Sequence, residues 1–295
     1  MTSLFQQDYL YGISSSSIHH KRGMDNCYLS TDILEQLVSL AEYLGVIHVE
    51  STQGASGLAF REGLEVLVAK IEEALGMPIG FPDIGAAYGL NIGGRLITPE
   101  SPEHIYVAAR IRDAMKVHLR NQAKVPAIVE IGAGYGGTAY WLLQHLKLAV
   151  SSYTIIDLPL TNVSQGYFLG KVFGYDNVVL FGEALPPTSS RNPNIRILPT
   201  HTINAELGAP DVTADVVFNE NSMPEMTRQS ILDYLRWMRG HLKGVFYSCN
   251  QETGNAGQFL VPNIMTEAGG CERLSRNVSS VRFGYVEEVY RFGEQ

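Results

Sequence analysis

The stretch AIVEIGAGYGGTAYWLL, residues 127–143, constrains the fold more than any other part of the chain. A strand-like run ends in four glycines within six positions, Gly132 to Gly137, and a helix-forming segment follows at once. Glycine reaches backbone angles that a side chain forbids and lets the chain approach a ligand closely. A helix that begins there offers N–H groups with no partner in the helix. Strand, glycine turn and helix together suit an anionic or zwitterionic ligand.

The same alternation continues downstream. From Pro126 onward AIVEI, YTIID, NVVLF, DVVFN and GVFYS are strand-like and are separated by helical segments. That order predicts βαβ units and a parallel sheet. ERLSRNVSS and VRFGYVEEVYRF are joined too closely for a crossover, so they read as an antiparallel pair at the sheet edge. Upstream the pattern is helical. Thr31 and Asp32 open a helix carrying Ile33, Leu37, Leu40 and Ala41 that stops at Gly45. A second helix carries Leu64, Leu67, Val68, Ile71 and Leu75 and ends at Gly76 and Pro78, and a third runs from about Pro102 to Asn121. The expected organisation is a helical cap over 1–122, for acceptor binding and dimerisation, and an α/β, Rossmann-like catalytic domain over 123–295.

Bulk properties narrow the partners. The formal net charge is −8, from 22 basic and 30 acidic residues, and no basic run occurs, which argues against a nucleic-acid backbone. No apolar stretch is long enough to span a membrane, and MTSLFQQDYLYGISSSS lacks the positive start and apolar core of a signal peptide. Cys27, Cys249 and Cys271 are too few and too far apart for a disulfide framework or a zinc pattern, so reduced cysteines in a cytoplasmic protein are expected.

Three cofactors compete for the glycine turn. A phosphate loop needs a Lys before the Thr that follows its last glycine, and Thr138 has none. A dinucleotide site needs G-x-G-x-x-G, which Gly132, Gly134 and Gly137 satisfy; Asp157, twenty residues past Gly137, is placed for a ribose. The third is S-adenosylmethionine (SAM). VEIGAGYGG resembles motif I of the class I SAM-dependent methyltransferases. The resemblance implies that Glu130 lies near the methionine end, that Gly132, Ala133, Gly134 and Tyr135 line the cofactor, and that Asp157 and Leu158 meet its nucleoside. Glu130 within the strand, where a dinucleotide strand is apolar, and the antiparallel C-terminal pair favour SAM over NAD.

DVVFNENSMPEMTRQSILDYLRWM follows the fourth of these strands, where ligands of open α/β sheets gather. It is similar to the N-x-x-S-x-x-E-M motif of a bacterial sugar O-methyltransferase family, through Asn219, Ser222, Glu225 and Met226. Ser248 and Asn250 in GVFYSCNQE, and the SQGYFLGKVFG helix, extend the resemblance over roughly 100–295. It implies a methyl group passed to a hydroxyl of a sugar or of a glycosylated or polyketide metabolite. An alternative origin for Ser222 and Glu225 is a capping box, with Ser222 as the N-cap of the next helix.

A hydroxyl acceptor needs its proton taken, and His201, Glu220 and Glu225 are the candidate bases. Asn219 borders the cofactor; Tyr88, Asn221, Asn250 and Gln251 are candidates for holding the acceptor. Mg²⁺ is not favoured, because the chain has no Asp-Asp pair, no HExxH and no Cys–His cluster; Glu220 with Asp157 or Glu252 is the nearest to a carboxylate set. His19 and His20 are adjacent and point apart in either regular structure, so they do not share a metal. The expected partners are a small-molecule acceptor and a second copy of the chain. The rival readings are an N- or C-methyltransferase, an NAD(P)-dependent oxidoreductase, and a non-catalytic SAM-fold subunit.

Overall fold

The computed structural model describes residues 26–47, 63–85, 87–119, 124–184, 195–203, 212–252 and 260–293, with side chains from Asp32 onward. His19 and His20 lie outside that description, as does the side chain of Cys27. The chain divides into two compact units: one gathers the residues up to Ala108 with Gly137–Leu146 and Ser280–Arg282, and the other holds the remainder.

In the first unit, α1 (Asn26–Tyr43) starts five residues before the predicted opening at Thr31 and stops at Gly45, whose φ is 71°. The second helix, α2 (Leu64–Leu75), buries Leu67, Val68 and Ile71 and closes on Gly76 in the left-handed region, as its spacing predicts. The glycine-rich segment that follows is not a plain loop. It forms a hairpin of β1 (Leu90–Ile92) and β2 (Arg95–Ile97), and Arg95 pairs with Glu72 at 2.7 Å. The third helix, α3 (Ser101–His118), gives residues to both units. α4 (Gly137–Tyr140) runs on through a π-helical turn, Trp141–His145, where the Tyr140 hydroxyl and His145 Nε2 are 2.6 Å apart.

The second unit is built on an eight-stranded sheet. Its strands are β3 (Ala127–Ile131), β4 (Ser152–Asp157), β5 (Val178–Leu180), β6 (Ile195–Pro199), β7 (Ala214–Glu220), β8 (Leu242–Gln251), β9 (Cys271–Val278) and β10 (Tyr285–Phe292). They lie in the order β5-β6-β4-β3-β7-β8-β10-β9. All pairings from β5 to β8 are parallel; β10 runs against both β8 and the edge strand β9. This is a parallel, Rossmann-like α/β sheet with the C-terminal reversal that the sequence predicts. One strand was not anticipated. Ile195–Pro199 reads as a connection, yet it pairs along β4 from Tyr153 to Asp157, and NVVLF is pushed out to a three-residue edge strand.

Strand β3 is buried on both faces, with Ile128, Val129 and Ile131 at most 1% exposed, the expected state of a central parallel strand. Against one face α6 (Arg228–His241) places Ile231, Tyr234, Leu235 and Met238, and α7 (Val261–Ala268) adds Val261, Ile264 and Met265. The N-cap of α6 is Thr227, whose Oγ1 accepts from Ser230 N at 3.1 Å. The capping-box expectation for Ser222 is therefore corrected: the helix starts five residues later, and Ser222 is used elsewhere. α5 (Pro159–Phe173) follows β4. Among the described residues no helix is long and apolar enough to cross a membrane.

Candidate functional site

The glycine turn lies between the carboxyl ends of β4 and β7, where successive connections leave β3 to opposite sides. That is the switch point at which such sheets open a crevice. One row of residues crosses the sheet at this level: Pro199, Asp157, the turn after Ile131, Glu220 and Cys249.

The glycines of the turn differ in what surrounds them. Gly132 has φ 71°, and a Cβ there would collide with the Ser222 hydroxyl. Gly134 has φ 56°, and a Cβ there would meet nothing within 4 Å. The first glycine admits protein and the second faces open space, so a ligand has room over Gly134. Ser222 is locked in place by Asn219, whose Nδ2 donates to Ser222 Oγ at 2.5 Å and to Ile131 O at 2.8 Å, while its Oδ1 accepts from Met223 N at 3.3 Å. Asn219 is fully buried and its amide is spent on these bonds. The expectation that its side chain borders the cofactor becomes a role one step back, tying the end of β7 to the glycine turn.

Asp157 closes the other side of the turn. Its Oδ1 accepts from Leu158 N at 2.7 Å and its Oδ2 from Gln165 Nε2 at 2.7 Å; Ala133 N and the Thr161 hydroxyl donate to it as well. Burial still pushes its pKa above the usual carboxylate range, against the pull of those bonds. Leu158, immediately after it, is 60% exposed and presents an apolar surface at the rim. Glu130 is buried beneath the turn, where the Tyr153 hydroxyl donates to its Oε2 at 2.6 Å. Burial pushes Glu130 up to about 8, partly offset by the Tyr153 bond and reinforced by Asp157. At neutral pH it is largely protonated.

Tyr135 does not offer its ring to a ligand. The ring is buried and meets Phe168 edge-on at 5.1 Å, so the expectation that Tyr135 lines the cofactor narrows to its backbone in the turn. Tyr88 is half-buried in the first unit. His201 is exposed in a 3-10 turn, Thr200–Ile203, after β6, and meets Phe181 edge-on at 5.3 Å. Glu225 is exposed in the turn Met223–Glu225, and Glu220 is half-buried at the end of β7.

Past β7 the chain takes a conformation few side chains adopt: Asn221 has φ 56°. Its N–H donates to Cys249 O at 2.9 Å and its Oδ1 accepts from the Tyr285 hydroxyl at 2.5 Å. Asn250 is 3% exposed; its Nδ2 donates to Ser248 Oγ at 2.8 Å, and its Oδ1 has no hydrogen-bond partner among the described residues. A buried carbonyl without a donor calls for a ligand or a water. Gln251, half-buried, ends β8 opposite Tyr285. Glu252 is committed to Arg276 at 2.5 and 2.7 Å. Among the described residues no group of three or more His, Cys, Asp or Glu is placed to hold a metal ion.

Sequence reasoning missed Gln165, Thr161, Tyr153 and Tyr285. A signal for the first two was present: Thr161, Asn162, Ser164 and Gln165 recur on one face of α5, and all are buried. A helix that buries a polar face after a strand-end carboxylate has that carboxylate to serve.

No family model matches the sequence, and no curated protein matches it. Solved structures do resemble the fold. Mitomycin 7-O-methyltransferase MmcR is 13% identical, with 99% of this chain and 75% of that one covered and a TM-score of 0.47. Magnesium protoporphyrin IX methyltransferase (ChlM) from Synechocystis PCC 6803, with bound SAH, is 8% identical over 64% of this chain and 84% of that one, at a TM-score of 0.45. The CurJ carbon methyltransferase is 16% identical over 63% and 53%, at 0.44. Likenesses this distant carry no argument about what this chain binds, which rests on its own residues.

Proposed function

We propose that the chain is a SAM-dependent methyltransferase that passes a methyl group to a hydroxyl of a sugar or of a glycosylated or polyketide natural product. The observation that carries this reading is the open position at Gly134 beside buried Asp157, at the switch point of a sheet whose strand β10 is reversed. In this reading the backbone of Gly132, Ala133, Gly134 and Tyr135 cradles the amino-acid end of SAM, Asp157 meets the ribose hydroxyls, and Leu158 covers the base. Glu130 and Asn219 support the turn from below. Bound SAM supplies an electrophilic methyl group on a sulfonium, whose departure needs no acid. What the protein adds is alignment and a place for the acceptor's proton.

Glu220 is the proposed base. His201 follows β6, and β4 and β3 lie between β6 and β7. Three strand spacings separate their positions by roughly 14 Å, so the two cannot serve one proton. His201 stands on the Asp157 side, where the nucleoside belongs, and Glu220 on the far side of the turn. Asn221, Asn250 and Gln251 continue from Glu220 and are the proposed contacts to acceptor hydroxyls, with Glu225 at their margin. The transfer is proposed to run without Mg²⁺ in the cytoplasm.

Calorimetric titration with SAM, SAH and NAD tests the cofactor. Binding of NAD but of neither sulfur compound replaces this reading with an oxidoreductase. A screen of acceptors with labelled SAM tests the oxygen acceptor; label on nitrogen or carbon makes the enzyme an N- or C-methyltransferase. Glu220→Gln is expected to lower kcat at least about 100-fold with SAM affinity unchanged, and His201→Ala to change kcat by less than about threefold. The opposite ranking moves the base to His201.

A further inference from the structure

The amide of Gln165 is completely buried and occupies an unusual place. Its Nε2 donates to Gly134 O at 2.9 Å and to Asp157 Oδ2 at 2.7 Å, and its Oε1 accepts from Asn162 Nδ2 at 3.0 Å. A backbone carbonyl only accepts, and so does an ionised carboxylate, so the nitrogen of Gln165 must face both. Asn162 Nδ2 in turn donates to Leu198 O at 3.3 Å, which anchors the arrangement to β6. One primary amide therefore joins the glycine with open space above it to the carboxylate at the end of the next strand.

We infer that Gln165 is a positioning residue that clasps Gly134 to Asp157 and so fixes the spacing between the two halves of the cofactor crevice. The inference rests on the SAM reading and adds a specific residue to it. Glycine supplies no side-chain packing to hold the turn, and Gly134 has an empty flank. The turn is held from below instead, through its carbonyl. A cofactor that bridges β3 and β4 needs both contact points at a set distance before it arrives, because a site that must first be ordered binds more weakly. Apolar side chains of the same size fill the same volume without setting that distance.

Gln165→Glu separates clasping from packing. The side chain keeps its shape, but at alkaline pH four carboxylate oxygens face one another and Gly134 O with no proton to share. At acid pH the introduced carboxyl and Asp157 retain one proton between them, and one bond of the clasp returns. Among the described residues, the other titratable groups in electrostatic reach of Asp157 are Glu130 and the Tyr234 hydroxyl from α6. Both are present in the unaltered protein, so the ratio of variant to wild-type SAM dissociation constants isolates the substitution. That ratio is expected to be within about threefold at pH 5.5 and at least tenfold at pH 8. A ratio near one at both values overturns the inference, as does a tenfold ratio that does not change with pH, which is the mark of lost packing alone. Wild-type protein that binds no SAM sinks the cofactor reading instead. Should the variant fail to fold, the side-chain amide protons of Gln165 in the wild-type protein decide by NMR: both are expected to be protected from exchange with solvent, and fast exchange overturns the clasp.

Discussion

Two pairs of buried carboxylates sit in different parts of one sheet and are held by opposite means. On β10, Glu287 and Glu288 are 1% and 2% exposed and meet arginines: Arg110 at 2.7 Å, and Arg273 and Arg276 at 3.0 and 2.8 Å. On β3 and β4, Glu130 and Asp157 are 2% and 8% exposed and meet a phenol, an amide, a hydroxyl and backbone N–H groups. A carboxylate facing a cation has its charge balanced before anything binds. One facing neutral donors keeps an acidity set by burial, so it answers to whatever charge enters beside it. The pair that meets no cation among the described residues flanks the glycine turn; the balanced pair lies across β8.

The sharpest way to break this contrast is to strip the arginines. Arg273→Met with Arg276→Met leaves Glu288 the Tyr290 hydroxyl, 2.6 Å away, as its remaining side-chain donor in this network. A buried charge that loses its partners costs about 3 kcal/mol, which lowers the melting temperature by about 5 °C in a chain this long. SAM affinity should be unchanged. A fall in affinity without a fall in melting temperature would mean that β10 belongs to the site after all. Asp157→Ala is the mirror experiment. It should weaken SAM binding by about 30-fold, near 2 kcal/mol, with little change in melting temperature, because the charge it removes is one that burial already disfavours. Equal affinity in variant and wild type would remove Asp157 from the site.

The contrast also marks how far the sequence could be read. Gly132, Gly134 and Asp157 were legible because glycine spacing and strand-end acids are local patterns. The reversal of β10 was legible because two strand-like runs lay too close for a crossover. β6 was not, since Ile195–Pro199 becomes a strand by pairing with β4, a partner far away in the chain. Ser222 looked like a helix cap by spacing alone; whether a hydroxyl caps a helix or fills the space over a glycine depends on where β3 ends relative to β7. Tyr135 sits inside the motif, and only packing with Phe168 shows that its ring faces inward. Arginine partners such as Arg110 for Glu287 are set by packing rather than by any local pattern, so the buried acids of VEEVY carried no signal of their role.

The smallest expected effect tests whether a neutral donor really leaves a buried acid adjustable. Glu130 is pushed up to about 8 in the folded protein, from an ordinary value of 4.5. Between those two values the folded chain holds a proton that the unfolded chain has released. Stability therefore falls as pH rises through that window and levels off above about 8, the reverse of a salt-bridged carboxylate. The slope is at most about 1.4 kcal/mol per pH unit, so between pH 6.5 and 7.5 this one group lowers the melting temperature by about 2 °C. Glu130→Gln keeps an acceptor for the Tyr153 hydroxyl and cannot ionise. Its melting temperature should match the wild type near pH 4.5 and exceed it increasingly toward pH 8. If the two curves run parallel across that range, Glu130 is ionised in the folded protein, and the two carboxylate pairs are held in the same way.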